Sequence, residues 1–196
     1  MLIGQCRFRY LKADTLKNPF GFIREFCSLE MEMESLRQNI LNLVKTAYSY
    51  HEEFYARPGK AYVYDQIEFV KVVEVMYVLY AGDWDLGPGA LRSYTNRYTC
   101  LTNDELKNIR IFLDEFFSFH DLNGWLELLD DLLIHAYKEG GPHYFTEERE
   151  PFKTMAYLEK MAEAVFLVYE IISLKENYPK ASGGQTVENR PECDHV

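Results

Sequence analysis

The sequence predicts an all-α fold: a single-domain bundle of about five helices, with one long loop in the middle and a disordered C-terminal tail. Three observations predict it. Apolar residues recur at spacings of three and four over most of the chain, the period of a helix with one buried face. Residues that start and stop helices stand at the ends of those stripes. The chain has 196 residues, 47% hydrophobic and 15% aromatic, which is enough for one sizeable core.

The elements follow in order. Cys6-Arg7-Phe8-Arg9-Tyr10 alternates like a strand, but one isolated strand has nothing to pair with. Asn18-Pro19 reads as an N-cap and a first-turn proline. Phe22, Phe26, Leu29, Met33, Leu36, Ile40, Leu43, Ala47, Tyr50 and Phe54 then form a heptad-like stripe, widened by Val44, Tyr48 and Tyr55. Read as one helix ending near Arg57-Pro58-Gly59, it runs about 55 Å at ~1.5 Å per residue. Glu30, Glu32 and Glu34 read as its solvated face, close to the positive helix start.

Asp65 and Glu68 have capping-box spacing, and Gly82 stands where a helix-ending glycine belongs. The residues between them are apolar nearly all round, leaving a polar strip of Glu68, Lys71 and Glu74, so this helix is expected to be central and buried. A long connection runs from Gly82 to Leu101. Thr102 and Glu105 form a second capping box, followed on one face by Leu106, Ile109, Leu113, Phe116 and His120. Asp121 caps a further helix carrying Leu122, Trp125, Leu129, Leu132 and Ala136, ended by Gly140-Gly141-Pro142. The last helix opens at Glu150-Pro151, carries Met155, Leu158, Ala162, Val165, Tyr169 and Ile172, and stops before Pro179. The domain is thus expected over residues 1–179 and the tail over 180–196. The chain reads as free of internal repeats.

Charge and composition narrow the function. A net charge of −10 repels phosphate backbones and anionic membrane surfaces. Cys6, Cys27, Cys100 and Cys193 are too far apart in sequence for a zinc ribbon or a redox pair. The start, MLIGQCRFRYLK, lacks the apolar core of a signal peptide, and the apolar run Val72–Ala81 is too short to span a bilayer. A cytoplasmic protein off the membrane is the expectation.

No phosphate-binding loop, dinucleotide fingerprint or nucleophile elbow occurs, so no catalytic residue and no cofactor is expected. Two histidines raise the question of a metal. His120-Asp121 resembles the paired ligands of metal-dependent phosphohydrolases, a helical hydrolase site that would need further ligands such as Asp131 and His135. Asp131 and His135 are four apart and share a helix face with Glu127. The ordinary alternative is a helix end followed by an aspartate N-cap. No histidine on a predicted helix follows a glutamate by three, the spacing carboxylate-bridged di-iron bundles use.

The central loop, GDWDLGPGALRSYTNRYTC, places Trp84 beside the interleaved Arg92, Tyr94, Arg97 and Tyr98. Such side chains can bind a partner, or stack on bases and neutralise phosphates. Equally, Trp84 can fold back as a plug on the bundle. The sequence therefore favours a non-enzymatic interaction or regulatory protein that binds a protein partner or forms a homodimer. A nucleic-acid-associated regulator using loop 82–101 and a metal-dependent hydrolase at His120 and Asp121 are the alternatives.

Overall fold

The computed structural model describes residues 8–48, 59–82, 84, 86, 97–137 and 151–177. Among these the fold is all-α, with no strand and eight helices where five are expected. They are α1 (Ala13–Lys17), α2 (Pro19–Glu25), α3 (Met33–Tyr48), α4 (Gly59–Ala81), α5 (Asn103–Lys107), α6 (Ile109–Phe119), α7 (Leu122–Tyr137) and α8 (Pro151–Asn177), with a π turn over Phe26–Glu30. Helix α4 is the central helix: Phe69, Val70, Val72, Val73, Val75, Met76, Val78 and Leu79 are fully buried. The expected tail, 180–196, lies outside the described residues, as do Cys6, Tyr50 and Phe54.

Several expectations are corrected. The stripe from Phe22 to Ala47 is not one helix. It breaks after the π turn, where Met31 is extended, and resumes at Met33. A stripe of period near 3.5 cannot distinguish a continuous helix from two helices that face the same core. Likewise, the stretch from Leu106 to His120 is divided at Asn108, whose extended backbone and side chain cap α6. Helix α4 starts at Gly59, so Asp65 is a buried interior residue and not an N-cap. The capping box of Thr102 and Glu105 forms as expected. Asp121 caps the next helix through the Gly124 N–H (2.8 Å).

The most consequential correction is that the chain is an internal repeat. Leu11-Lys12-Ala13-Asp14-Thr15-Leu16-Lys17-Asn18 aligns with Leu101-Thr102-Asn103-Asp104-Glu105-Leu106-Lys107-Asn108, with five identities in eight positions. Phe22, Glu25, Phe26 and Ser28 recur at the same offset as Phe112, Glu115, Phe116 and Ser118. The structure repeats with the sequence. The Asn18 N–H reaches the Asp14 carbonyl (3.0 Å) as the Asn108 N–H reaches that of Asp104 (2.9 Å). Asn18 and Asn108 then both cap the following helix through their side chains.

One inserted residue separates the halves. The Phe26 carbonyl accepts from Met31, five residues on, whereas its counterpart Phe116 accepts from His120, four residues on. A π turn is an α-helix carrying one extra residue. From that point the offset falls from 90 (Asn18 to Asn108) to 89 (Met33 to Leu122). Helices α3 and α7 are then both 16 residues long and bury matching positions: Met33 and Leu122, Leu36 and Trp125, Ile40 and Leu129, Leu43 and Leu132, Ala47 and Ala136. Helices α4 and α8 share Lys71 and Lys160, Glu74 and Glu163, Tyr80 and Tyr169.

The halves interlock. Helix α3 packs on α8 as α7 packs on α4, α2 meets α8 as α6 meets α4, and α3 packs on its own counterpart α7. These pairings follow a pseudo-two-fold pattern, from which α3 departs by also packing on α4.

The repeat also explains the polar strip of α4. Glu74, on that strip, is fully buried. It accepts the backbone N–H groups of Arg9, Tyr10 (3.1 Å) and Leu11 (3.1 Å). Glu163 in α8 is also fully buried, and accepts those of Thr99 (2.9 Å), Cys100 (3.0 Å) and Leu101 (3.0 Å). A buried carboxylate is costly unless donors surround it. Each of these meets three consecutive N–H groups, and so ties the segment before a one-turn helix to a long central helix.

Candidate functional site: two cavities that the repeat opens

Of the loop residues singled out by sequence, Trp84, Arg97 and Tyr98 are among the described residues. Trp84 folds onto the bundle, its ring edge-on to Phe20 (centroids 5.3 Å apart) and close over Gly82, where a Cβ would collide with the indole. Arg110 secures this corner by donating to the carbonyls of Gly82 (3.2 Å) and Trp84 (2.9 Å). Arg97 is exposed and pairs with Glu170 (2.7 Å). Tyr98 is buried, and burial together with the neighbouring Glu170 carboxylate pushes its phenol well above the ordinary range. Arg92 and Tyr94 lie outside the described residues.

His120 packs between Phe119 (centroids 4.5 Å apart) and Trp125 (5.1 Å). Asp121 is an N-cap, and His135 Nδ1 lies 2.6 Å from the Asp131 carbonyl one turn earlier. Among the described residues no group of three His, Cys, Asp or Glu side chains could hold a metal ion.

What sequence reasoning missed is where the two halves differ. In the second half Phe117 fills the space beside α4, 5.1 Å from the ring of Tyr77 and stacked at 5.0 Å on that of Tyr80. The corresponding position in the first half is Cys27, on the π turn, facing Phe166 and Tyr169 of α8, the counterparts of Tyr77 and Tyr80. A thiol is far smaller than a phenyl ring. A cavity of about 490 Å³ opens there, lined by Cys27, Met31, Met33, Phe166 and Tyr169, with Glu32, Glu34 and Arg97 among the polar groups. Burial pushes the Cys27 thiol up to about 12, so at neutral pH it is a protonated, weakly polar wall and not a nucleophile.

A second cavity, of about 250 Å³, follows the same logic. In the second half Glu105 reaches Lys160 (2.7 Å) and the Thr102 N–H (2.6 Å). Burial alone would raise the Glu105 carboxyl, but these hydrogen bonds outweigh it and hold the group below the usual carboxylate range. In the first half the counterpart of Glu105 is Thr15, which is too short to reach Lys71. The space is left open between Tyr10, Leu11, Lys12, Thr15, Phe22 and Lys71. The signal that could have located both cavities was the pair of octapeptides LKADTLKN and LTNDELKN, which sets the two halves in register.

Compared with known proteins, the chain matches no family model, no curated protein and no solved structure. Among the described residues no helix is long and apolar enough to cross a membrane.

Proposed function

We propose that this protein is a non-catalytic interaction protein of the regulatory kind, which takes an apolar anchor side chain of a partner protein into the cavity beside Cys27. The observation that carries the proposal is the exchange of Phe117 for Cys27 at equivalent positions. One half supplies its own aromatic ring; the other has a thiol there and leaves an open space of about 490 Å³, roomier than one ring needs. Buried anchors in such pockets dominate many protein interfaces. π turns are frequent at functional sites, and here the turn bears the residue that opens the cavity. Glu32, Glu34 and Arg97 line the same cavity and offer a partner polar contacts beside the apolar ones. The free thiols of Cys27 and Cys100 and the acidic balance support a cytoplasmic setting.

Native mass spectrometry of protein purified gently from its source, as wild type and as Cys27→Phe, tests this. The partner is expected on the wild type and absent from the variant. A dimer of the wild type alone would make the partner a second copy. The same partner on both forms, or none on either, would refute the proposal.

A further inference from the structure

We propose that the sulfur atoms of Cys27, Met31 and Met33 form a binding site for a soft monovalent metal ion, Cu(I), on one wall of the larger cavity. The proposal does not rest on the partner reading of that cavity: an apolar anchor needs the open space, whereas an ion needs the sulfurs. All three residues line the cavity, and one short segment carries them. Cys27 is on the π turn, Met31 is the extended residue after it, and Met33 opens α3. The Met31 N–H is fixed to the Phe26 carbonyl (3.0 Å). The second half has Phe117, His120 and Leu122 at these positions, so the three sulfurs belong to the half in which the cavity opens. Methionine ordinarily fills gaps in a core. Here Met31 and Met33 border one instead.

Ligand chemistry selects the ion. Thiolate and thioether sulfurs favour Cu(I), and thioethers suit harder ions poorly. On binding, the Cys27 S–H bond breaks, a Cu–S bond forms and the proton leaves to water, with no change of oxidation state. The thiolate–Cu(I) pair is neutral, and two thioethers add no charge. Neutrality matters where burial pushes the free thiol up to about 12, because a net charge there is costly. Zn(II) would keep a positive charge and prefers nitrogen, oxygen or thiolate ligands. Arg97, the cation in the lining, is paired with Glu170 (2.7 Å). Glu32 is exposed, lines the cavity and favours the approach of a cation.

The test uses the full chain with reduced thiols, without oxygen. Cu(I) is titrated against a competing chelator. Ag(I), a redox-inert ion of the same charge and softness, is followed by NMR of the methionine methyl groups. Ag(I) is expected to move the signals of Met31 and Met33 and to leave those of Met76 and Met161, deep in the core, in place. Zn(II) should move neither pair. Cys27→Ser, and Met31→Leu combined with Met33→Leu, should each weaken Cu(I) binding at least tenfold, while Cys100→Ser should not. Leucine matches methionine in volume, so the double variant keeps the fold and the open space. Toluene should still enter that variant, so loss of the ion site and loss of the anchor site are read separately. The Ag(I) shifts are measured on the wild type and decide the matter even if a variant does not fold. Met31 and Met33 signals that ignore Ag(I), or that answer Zn(II) equally, would overturn the proposal, as would equal Cu(I) affinity in the wild type and the double variant.

Discussion

Removing the buried carboxylate of Glu163 should cost more than any single apolar truncation at the surface of the bundle. Its side chain is wholly buried and accepts three backbone N–H groups, the Thr99 hydroxyl (3.2 Å) and Arg37 Nη1 (3.3 Å). Glu163→Ala strips the acceptor from all of them. Thr99 is exposed and can turn to water, but Cys100 is half-buried and Leu101 is buried. An orphaned buried donor costs about 1–3 kcal/mol, and breaking a buried charged network about 3–5 kcal/mol. With between one and two N–H groups left without water, the expected loss is roughly 3–4 kcal/mol. That is a large part of the ~5–15 kcal/mol that holds a domain together. Glu163→Gln keeps one acceptor and the shape, and should lose about half as much. Urea unfolding followed by circular dichroism measures both, and hydrogen exchange at Cys100 and Leu101 should speed up with them. A Glu163→Ala variant within about 1 kcal/mol of wild type would refute the reasoning. Glu74→Ala is the internal control. Its clients Arg9 and Tyr10 are exposed, so water can replace the carboxylate and the cost should be smaller, about 1–2 kcal/mol.

Three further outcomes are expected. Cys27→Phe should stabilise the fold by about 0.5–2 kcal/mol, as cavity filling commonly does, read as a rise in the urea midpoint. Glu105 is held below its ordinary value, so its contribution to stability is complete above the unfolded carboxyl value and is lost as pH falls through the lower folded one. Wild type should therefore lose more stability than Glu105→Gln between pH 7 and pH 3, and equal losses would contradict the assignment. Gly82→Ala should displace Trp84 from Phe20, seen as a red shift of tryptophan emission with a loss of about 1–2 kcal/mol.

The fold class was legible because helix period and cap chemistry agree along most of the chain. Thr102 with Glu105, Asp121 and the start at Pro151 are local signals, and they appear where they are written. The breaks were not legible. Asn18 and Asn108 are also local caps, but the stripe continues through Met31 and across Asn108 because successive helices face one core. The role of Glu74 was not legible either: only the fold reveals that the N–H groups of Arg9, Tyr10 and Leu11 donate to its buried carboxylate. The site was the least legible part. A cavity is made by what is small, and Cys27 and Thr15 carry no motif. They become informative only beside Phe117 and Glu105, once the insertion at the π turn is allowed for. The arginine–tyrosine loop drew notice by composition; of its described residues, Arg97 pairs with Glu170 on α8 and Tyr98 is buried.

The central claim is that the first half keeps open, for a ligand, the place that Phe117 fills in the second. The most direct measurement is an NMR titration of the methionine methyl groups with toluene, the side-chain analogue of phenylalanine, in wild type and in Cys27→Phe. Met31 and Met33 line the cavity and report on its contents. Their signals are expected to move saturably with toluene in the wild type and to stay still in the variant, whose own ring takes the space. Equal shifts in the two proteins, or no shift in either, would contradict the account.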